Sequence, residues 1–380
     1  MKVLVTGSKG FIGQNLMAEL KNRKIKDILE FTRNDSIDYL EKCIKECDFI
    51  FHLAGVNRPK KEEEFIYGNY NLTKTIVDFL IKYNKTIPIL MTSSIQAKED
   101  NPYGKSKYLG EEELIRYEKE TKGKALIYRL NNVFGKWCKP NYNSVVATFC
   151  YNIAREKDII INDKNKEMNL VYIDDVINEF LKALNGKENR KEKFSFVEPV
   201  YKIKLEEIAK KIYKFKESRN DLSIGNMADG FEKKLYSTYL SYLPEDKFSY
   251  PLKMNIDKRG SFTEFIKSES KGQVSINISK PGITKGNHWH HSKNEKFLVV
   301  SGKALIQFRK INSEKVIQYY VSEEKLEVVD IPIGYTHNII NIGDKDLVTV
   351  MWANESFNKD KPDTYFEEVI KDGGIKSEKA

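Results

Sequence analysis

The sequence predicts two folds in series, an α/β domain with a doubly wound parallel sheet followed by an all-β barrel. Two observations predict this. Up to about residue 185, short apolar runs rich in Val, Ile, Leu and Phe alternate with longer stretches of helical period, the pattern of a parallel sheet with helices on both faces. From about Tyr250 the helical period disappears, and short strands are punctuated by Gly and Pro turns, as in a sandwich or barrel. This change of texture sets the expected domains at residues 1–245 and 246–380.

In chain order, Val3–Thr6, Ile28–Phe31, Phe49–Leu53, Ile87–Thr92 and Ala125–Leu130 read as buried strands. Ile12, Leu16 and Leu20 recur on one helical face, and Thr75–Tyr83 carries a second helical stripe. Residues 186–250 are lysine-rich, with helical pieces at Leu205–Phe215 and Phe231–Leu243 and breaks at Gly225 and Gly230. The barrel strands are Val274–Ile278, Phe297–Val300, Glu327–Ile331 and Val348–Trp352, separated by Pro281-Gly282, Ser301-Gly302 and Pro332. The polar end, Lys371–Ala380, is expected to fray.

A chain of 380 residues that is 40% hydrophobic can fill two cores. No stretch approaches the roughly 18 uncharged apolar residues of a membrane span, and the start, MKVLVTGSKG, lacks the apolar run of a secretory signal. A cytoplasmic protein with no membrane partner is expected. The net charge of +9 comes from lysines interleaved with glutamates, so no clustered basic face for nucleic acid is expected. Cys43, Cys47, Cys138 and Cys150 form no disulfide framework and no CxxC pair, and are read as reduced thiols. Of the five histidines, four (His288, His290, His291 and His337) gather near the C-terminus.

The first strand runs straight into Thr6-Gly7-Ser8-Lys9-Gly10-Phe11-Ile12-Gly13, and a helix follows. Gly7 allows the tight turn, Gly10 lets the backbone approach a pyrophosphate, and Gly13 permits close packing of helix on strand. The helix start then offers unpaired N–H groups and a positive dipole end to a dinucleotide. The second strand ends in Thr32-Arg33-Asn34, where NAD-preferring sites place an acid; Arg33 suits a 2′-phosphate and points to NADPH. Ser94 follows the strand at Ile87–Thr92. Tyr103 and Lys107 lie four apart on one helical face. A neighbouring ammonium is expected to lower the Tyr103 pKa, making it a proton donor or acceptor for a carbonyl/alcohol pair, with Ser94 bonding the same oxygen.

Together the TGSKGFIG loop, His52-Leu-Ala-Gly55, Ser94, Tyr103-x-x-x-Lys107, Arg129-Leu-Asn-Asn132-Val-Phe-Gly135 and Val171-Tyr-Ile-Asp-Asp175 resemble the extended short-chain dehydrogenase/reductase family. The resemblance implies a Rossmann-type domain acting on a sugar nucleotide, with Ser94, Tyr103 and Lys107 catalytic. It implies that Phe11 and Ile12 meet the phosphates through backbone, that Leu53, Ala54 and Asn69 line the cofactor site, and that Asn132 touches substrate. The gap from Ser94 to Tyr103 is shorter than the family usually has.

In the second half, Gly282-x5-His288-Trp-His290-x4-Glu295-x6-Gly302 and Pro332-Ile-Gly334-x2-His337-x3-Asn341 resemble the two cupin motifs. Residues i and i+2 of a strand face one way, so His288 and His290 both point into the barrel, where Glu295 and His337 complete three nitrogens and one oxygen. That set suits a borderline divalent ion such as Zn²⁺, with Fe, Mn or Ni open. His291 alternates to the other face. Leu326 stands where cupins often carry a glycine before the second motif. Asp257-Lys-Arg259-Gly260-Ser-Phe262-Thr-Glu264 and Lys285-Gly286-Asn-His288 resemble cupin-fold epimerases of nucleotide-linked 4-keto-6-deoxy sugars, which rely on a histidine base.

The pairing of the two halves is similar to a family of capsule and O-antigen biosynthetic enzymes over essentially the whole chain. It implies a UDP-linked 4-keto-6-deoxy amino sugar as substrate: the barrel epimerises C3 of UDP-2-acetamido-2,6-dideoxy-hexos-4-ulose and the reductase half reduces C4. The product is UDP-2-acetamido-2,6-dideoxy-L-talose, on the way to UDP-N-acetyl-L-fucosamine. A homodimer through exposed strands is implied as well. Two alternatives stay open, a sugar-nucleotide 4-epimerase that retains its cofactor and a nucleotide-sensing binding protein with a structural cupin.

Overall fold

The computed structural model describes residues 1–253, 255–257, 260–262, 266–268, 272–355 and 360–371. Lys258, Arg259, Thr263 and Glu264 of the epimerase-like segment, and residues 372–380 of the polar end, lie outside the described residues. Two compact units are present: residues 1–145 with 165–204, and residues 146–164 with 205–380.

The first unit is built on a seven-stranded sheet. Its elements open as β1 (Val3–Thr6), α1 (Phe11–Asn22), β2 (Ile28–Phe31), α2 (Ile37–Glu46) and β3 (Phe49–His52). They continue as α3 (Glu63–Phe65), a π-helical segment at Ile66–Asn71, α4 (Leu72–Lys82), β4 (Ile89–Ser94), α5 (Pro102–Thr121) and β5 (Ala125–Leu130). The five strands lie parallel in the order β2-β1-β3-β4-β5, and the short strands Phe194–Ser195 and Arg190–Lys191 extend the far edge.

Alternation sorts their side chains between two helical layers. Leu4, Ile50, Ile89, Met91 and Ile127 pack with Leu40, Ile44, Ile76, Leu80 and Leu114 of α2, α4 and α5. On the opposite face Phe51 and Tyr128 meet Phe180 of the helix Ile173–Leu184, at ring separations of 6.4 and 5.2 Å. Each such fully buried apolar side chain contributes on the order of 1.5–3 kcal/mol. This is the doubly wound sheet that the sequence predicts. The sequence pattern did not reveal a separate three-stranded sheet, Tyr201–Lys204, Glu167–Tyr172 and Asn132–Phe134, or the π-helical segment.

The second unit holds two five-stranded sheets in which every pairing is antiparallel. One contains Gln273–Ser279, Leu347–Ala353, Glu295–Ser301 and Glu327–Ile331; the other contains Thr284–Trp289, Tyr335–Asn341, Lys303–Lys310 and Val316–Ser322. This double-sheet arrangement is the jelly-roll expected of the second half. The contact boundary falls away from the change of texture at 245/246. Helices Leu205–Asp221 and Gly230–Leu240 belong to the second unit, because Phe215 packs on Tyr236 and Tyr239 and Arg219 reaches Asp330.

Asp330, fully buried, accepts from Lys296 Nζ at 2.6 Å and lies 3.0 Å from Arg219 Nη2. Lys296 also donates to the Tyr250 hydroxyl at 2.9 Å, and Asp330 drives its pKa upward against burial, which lowers it. Asp330→Ala leaves a buried ammonium without its counter-charge. We expect a loss of about 3–5 kcal/mol in denaturant unfolding of the second unit, and a loss under about 1 kcal/mol would contradict the pairing's role.

Candidate active site and metal centre

The glycine loop sits at the carboxyl end of β1, between β2 and β3. Gly7 N donates to Phe31 O at 3.1 Å, Leu53 N to Thr6 O at 3.2 Å, and Gly10 N to Gly7 O at 2.9 Å. A Cβ on Gly13 would lie 2.2 Å from Gly7 O, so only glycine allows α1 to start so close to the loop. Because α1 begins at Phe11, the amides of Phe11, Ile12 and Gly13 are its first donors and have no partner within the helix. Leu53 and Ala54 follow β3 directly against this loop, with Ala54 N donating to Thr6 Oγ1 at 3.2 Å. Arg33 is exposed in the turn after β2. Asp35, the acid of that turn, accepts from Thr32 N at 2.7 Å and Thr32 Oγ1 at 2.8 Å, bonds that hold its pKa low.

A directional hydrogen-bond chain runs beneath the loop. Thr73 Oγ1 donates to Asn69 O at 2.6 Å, and that carbonyl can only accept. His52 Nε2, 2.8 Å from Thr73 Oγ1, must therefore carry the proton. Burial and the nearby Lys107 ammonium hold His52 down at about 3, so its ring is neutral and Nδ1 accepts from the Thr6 hydroxyl at 2.8 Å. The π-helical segment delivers the Asn69 side chain, which accepts from Val56 N at 2.9 Å and donates to Val56 O and Ser106 Oγ, both at 3.0 Å. Sequence reading named Asn69 by resemblance and missed the Thr6, His52 and Thr73 chain that fixes it. The HLAG run carries the signal, since a histidine ending a buried strand needs two partners.

The structure brings Ser94, Tyr103 and Lys107 together at the ends of β4 and α5. Asn101 caps α5, its Oδ1 accepting from Gly104 N at 2.8 Å. The Tyr103 ring packs 5.7 Å from Phe65, and its hydroxyl faces the Ser94 side chain. Lys107 Nζ donates to Thr92 O at 3.1 Å and stands 6.0 Å from the Tyr103 ring centroid. Burial lowers the Lys107 pKa to about 8, with Glu111 opposing. The expected depression of the Tyr103 pKa is not found. Burial raises it, Ser94 opposes, and the ammonium aims at the Thr92 carbonyl rather than the phenol oxygen. Asn132 lies apart on its own strand, exposed, its Nδ2 donating to Asn169 O at 3.3 Å.

In the second unit, one ligand atom from each of His288, His290, Glu295 and His337 lies within 4.8 Å of the others. His288, Glu295 and His337 come from three strands, and His290 directly follows the one that carries His288. The register pairs His288 with His337, and an irregularity between Gly286 and His288 interrupts it. Gly286 at φ +110° and Asn287 at φ +57° make that bulge, and a Cβ on Gly286 would meet His337 O at 2.8 Å. Glu295 Oε2 is 3.3 Å from His290 Nε2 and 3.4 Å from His337 Nε2.

Burial holds the His288 pKa down at about 3 and lowers that of His337, so both rings are neutral beside the buried Glu295 carboxyl. Neither ring nitrogen of His337 has a well-aligned hydrogen bond among the described residues. Neutral imidazoles with orphaned nitrogens around one carboxylate fit a divalent cation far better than a hydrogen-bonded core. Sequence reading missed Asp363, whose carbonyl accepts from His290 Nδ1 at 2.5 Å. Nothing in the polar segment around it marks that residue.

Residues 3–197 match the NAD dependent epimerase/dehydratase family, and residues 255–365 match the Polysaccharide biosynthesis C-terminal domain. The UDP-2-acetamido-2,6-beta-L-arabino-hexul-4-ose reductase of Pseudomonas aeruginosa is 47% identical over 365 residues, 96% of this chain and 98% of its own. The crystal structure of the capsular polysaccharide assembling protein CapF from Staphylococcus aureus aligns with 55% identity and a TM-score of 0.68, over 97% of this chain and 100% of its own. A crystal structure of CapF with the inhibitor 3-isopropenyl-tropolone aligns with 51% identity and a TM-score of 0.63 over the same shares. Likeness at this level and over nearly the whole length joins both halves to one lineage, and the chain belongs to the NAD dependent epimerase/dehydratase family.

Proposed function

We propose that this protein converts a UDP-linked 2-acetamido-2,6-dideoxy-hexos-4-ulose in two steps, inversion at C3 in the barrel and reduction at C4 in the α/β unit. The product is UDP-2-acetamido-2,6-dideoxy-L-talose, a precursor of UDP-N-acetyl-L-fucosamine for capsule or O-antigen. The observation that carries this reading is the coexistence in one chain of a Ser94, Tyr103 and Lys107 proton-transfer group beside a dinucleotide loop with a three-histidine, one-carboxylate centre. The full-length relative named as a hexul-4-ose reductase supports the substrate class.

The chemistry links the two sites. A C4 ketone acidifies the adjacent C3–H, because the carbanion delocalises onto the carbonyl oxygen. A divalent ion, Zn²⁺ by donor set, held by His288, His290, Glu295 and His337 would stabilise negative charge on that oxygen.

Held at the glycine loop by the first amides of α1, NADPH would supply the hydride for C4. Tyr103, kept protonated by its raised pKa, gives its proton to O4; Ser94 orients that oxygen, and the Lys107 ammonium, 6.0 Å from the Tyr103 ring centroid, adds positive charge to the site. Reduction removes the ketone and with it the acidity at C3, so the inverted centre no longer exchanges.

Arg33 supports a preference for NADPH, since it stands exposed at the end of β2 while the neighbouring Asp35 is engaged by Thr32. Val274, Ile276 and Ile278, all exposed on one face of an edge strand, support a homodimer through the barrel. Four cysteines outside any disulfide suit a cytoplasmic setting.

With Tyr103→Phe, NADPH oxidation falls about 10²–10⁴-fold, while full-length protein in D₂O without cofactor still places deuterium at C3 of the keto sugar. His337→Ala loses that exchange. Exchange that dies with Tyr103→Phe and survives His337→Ala would overturn the division of labour. Lys107 loses its charge as pH rises through about 8, so the reduction rate declines above that pH; a profile flat to pH 10 contradicts its role. Arg33→Ala raises the KM for NADPH about ten- to hundredfold, the worth of a charged hydrogen bond, and leaves that for NADH unchanged.

A further inference from the structure

The segment Asp363–Val369 lies across the ligand-bearing strands of the second unit. It touches three places next to ligands. Asp363 O accepts the Nδ1–H of His290 at 2.5 Å, and because a carbonyl can only accept, this bond fixes the tautomer that leaves Nε2 facing the other ligands. Glu367 N donates to Asn287 O at 2.9 Å, holding the bulge that aims His288. Glu367 O accepts from the hydroxyl of Thr336, the residue before His337. Tyr365 and Phe366 pair in register with Trp289 and His288.

The Asp363 carboxylate is bound at four further points. Oδ1 accepts from His291 N at 2.9 Å, and Oδ2 accepts from Ser292 N and Lys293 N at 2.7 Å each and from Ser292 Oγ at 3.0 Å. These donors form the turn that joins His290 to Glu295, so one side chain sets the spacing between two ligands. Hydrogen bonds from amides to a carboxylate are about twice as strong as neutral ones, and consecutive amides turned inward make a ready anion seat. The far end of the segment is held from inside the sheet. Arg309, 1% exposed, donates through Nε to Val369 O at 2.8 Å and through Nη2 to Glu368 O at 2.7 Å and Glu367 Oε1 at 2.9 Å.

We infer that Asp363 is a positioning residue of the metal centre, and that the segment it begins, pinned by Arg309, is a strap that sets the centre's geometry and affinity. The inference rests on the reading of His288, His290, Glu295 and His337 as a metal site. A carboxylate that met only solvent-exposed loop amides would matter for stability alone. This one shares its residue with the carbonyl on His290, so loosening it moves a ligand and frees the wrong ring nitrogen.

The test uses the full-length protein stripped with chelator, titrated with Zn²⁺ against a chromogenic competitor and with Co²⁺ by visible absorption. Asp363→Asn keeps the backbone carbonyl but opposes an amide NH₂ to backbone N–H donors. We expect about 10–100-fold weaker Zn²⁺ binding, the usual cost of losing such support, with a shifted Co²⁺ d–d spectrum. Equal affinity and an unchanged Co²⁺ spectrum overturn the strap while leaving the metal site standing. Wild-type protein that binds neither ion overturns the metal reading beneath it. If Asp363→Asn shows no cooperative unfolding in chelator, Glu367→Gln decides. It removes the carboxylate partner of Arg309 at the other end, and a loss of about threefold or more in Zn²⁺ affinity supports the strap; no change overturns it.

Discussion

Desolvation of polar side chains is the constraint on which both sites depend. A buried charge or hydrogen-bonding group without a partner costs several kcal/mol, so each group that the chemistry needs arrives with a partner built for it. Lys107 has the Thr92 carbonyl, His52 has threonine hydroxyls on both sides, and His290 has the Asp363 carbonyl. At His337 neither ring nitrogen finds an aligned partner among the described residues, which supports the proposed metal centre.

The same constraint separates the two chemistries. In the α/β unit burial raises Tyr103 and lowers Lys107, which leaves a protonated phenol beside an amine near the edge of ionisation. That is the state wanted for giving a proton to a developing alkoxide. In the barrel burial keeps His288 and His337 neutral, the state that the proposed cation site needs. The ketone of the proposed substrate uses both environments, first as an electron sink and then as an acceptor of hydride.

Support for the sites comes from far along the chain. Asn69 reaches its position through a π-helical segment, 16 residues beyond Leu53 of the HLAG run, and it answers to Val56 and Ser106. The turn between His290 and Glu295 answers to Asp363, and the spacing of the cupin-like motifs says nothing about that residue. In both places the groups that do the fixing are ordinary polar residues in polar stretches.

Local patterns in the chain carry the two fold classes, the order of the halves, the glycine loop, the spacing of Tyr103 and Lys107 and the four residues of the candidate metal centre. Each of these is carried by local period, by spacing along one element or by rare residue types, and local signals survive without tertiary contacts. Only the tertiary structure decided that Lys107 aims at Thr92, that helices 205–240 join the barrel unit, and that Asp363 braces His290. Those facts concern which distant segments share a dry interior, and a pKa or a tautomer depends on what surrounds a group rather than on its neighbours in sequence.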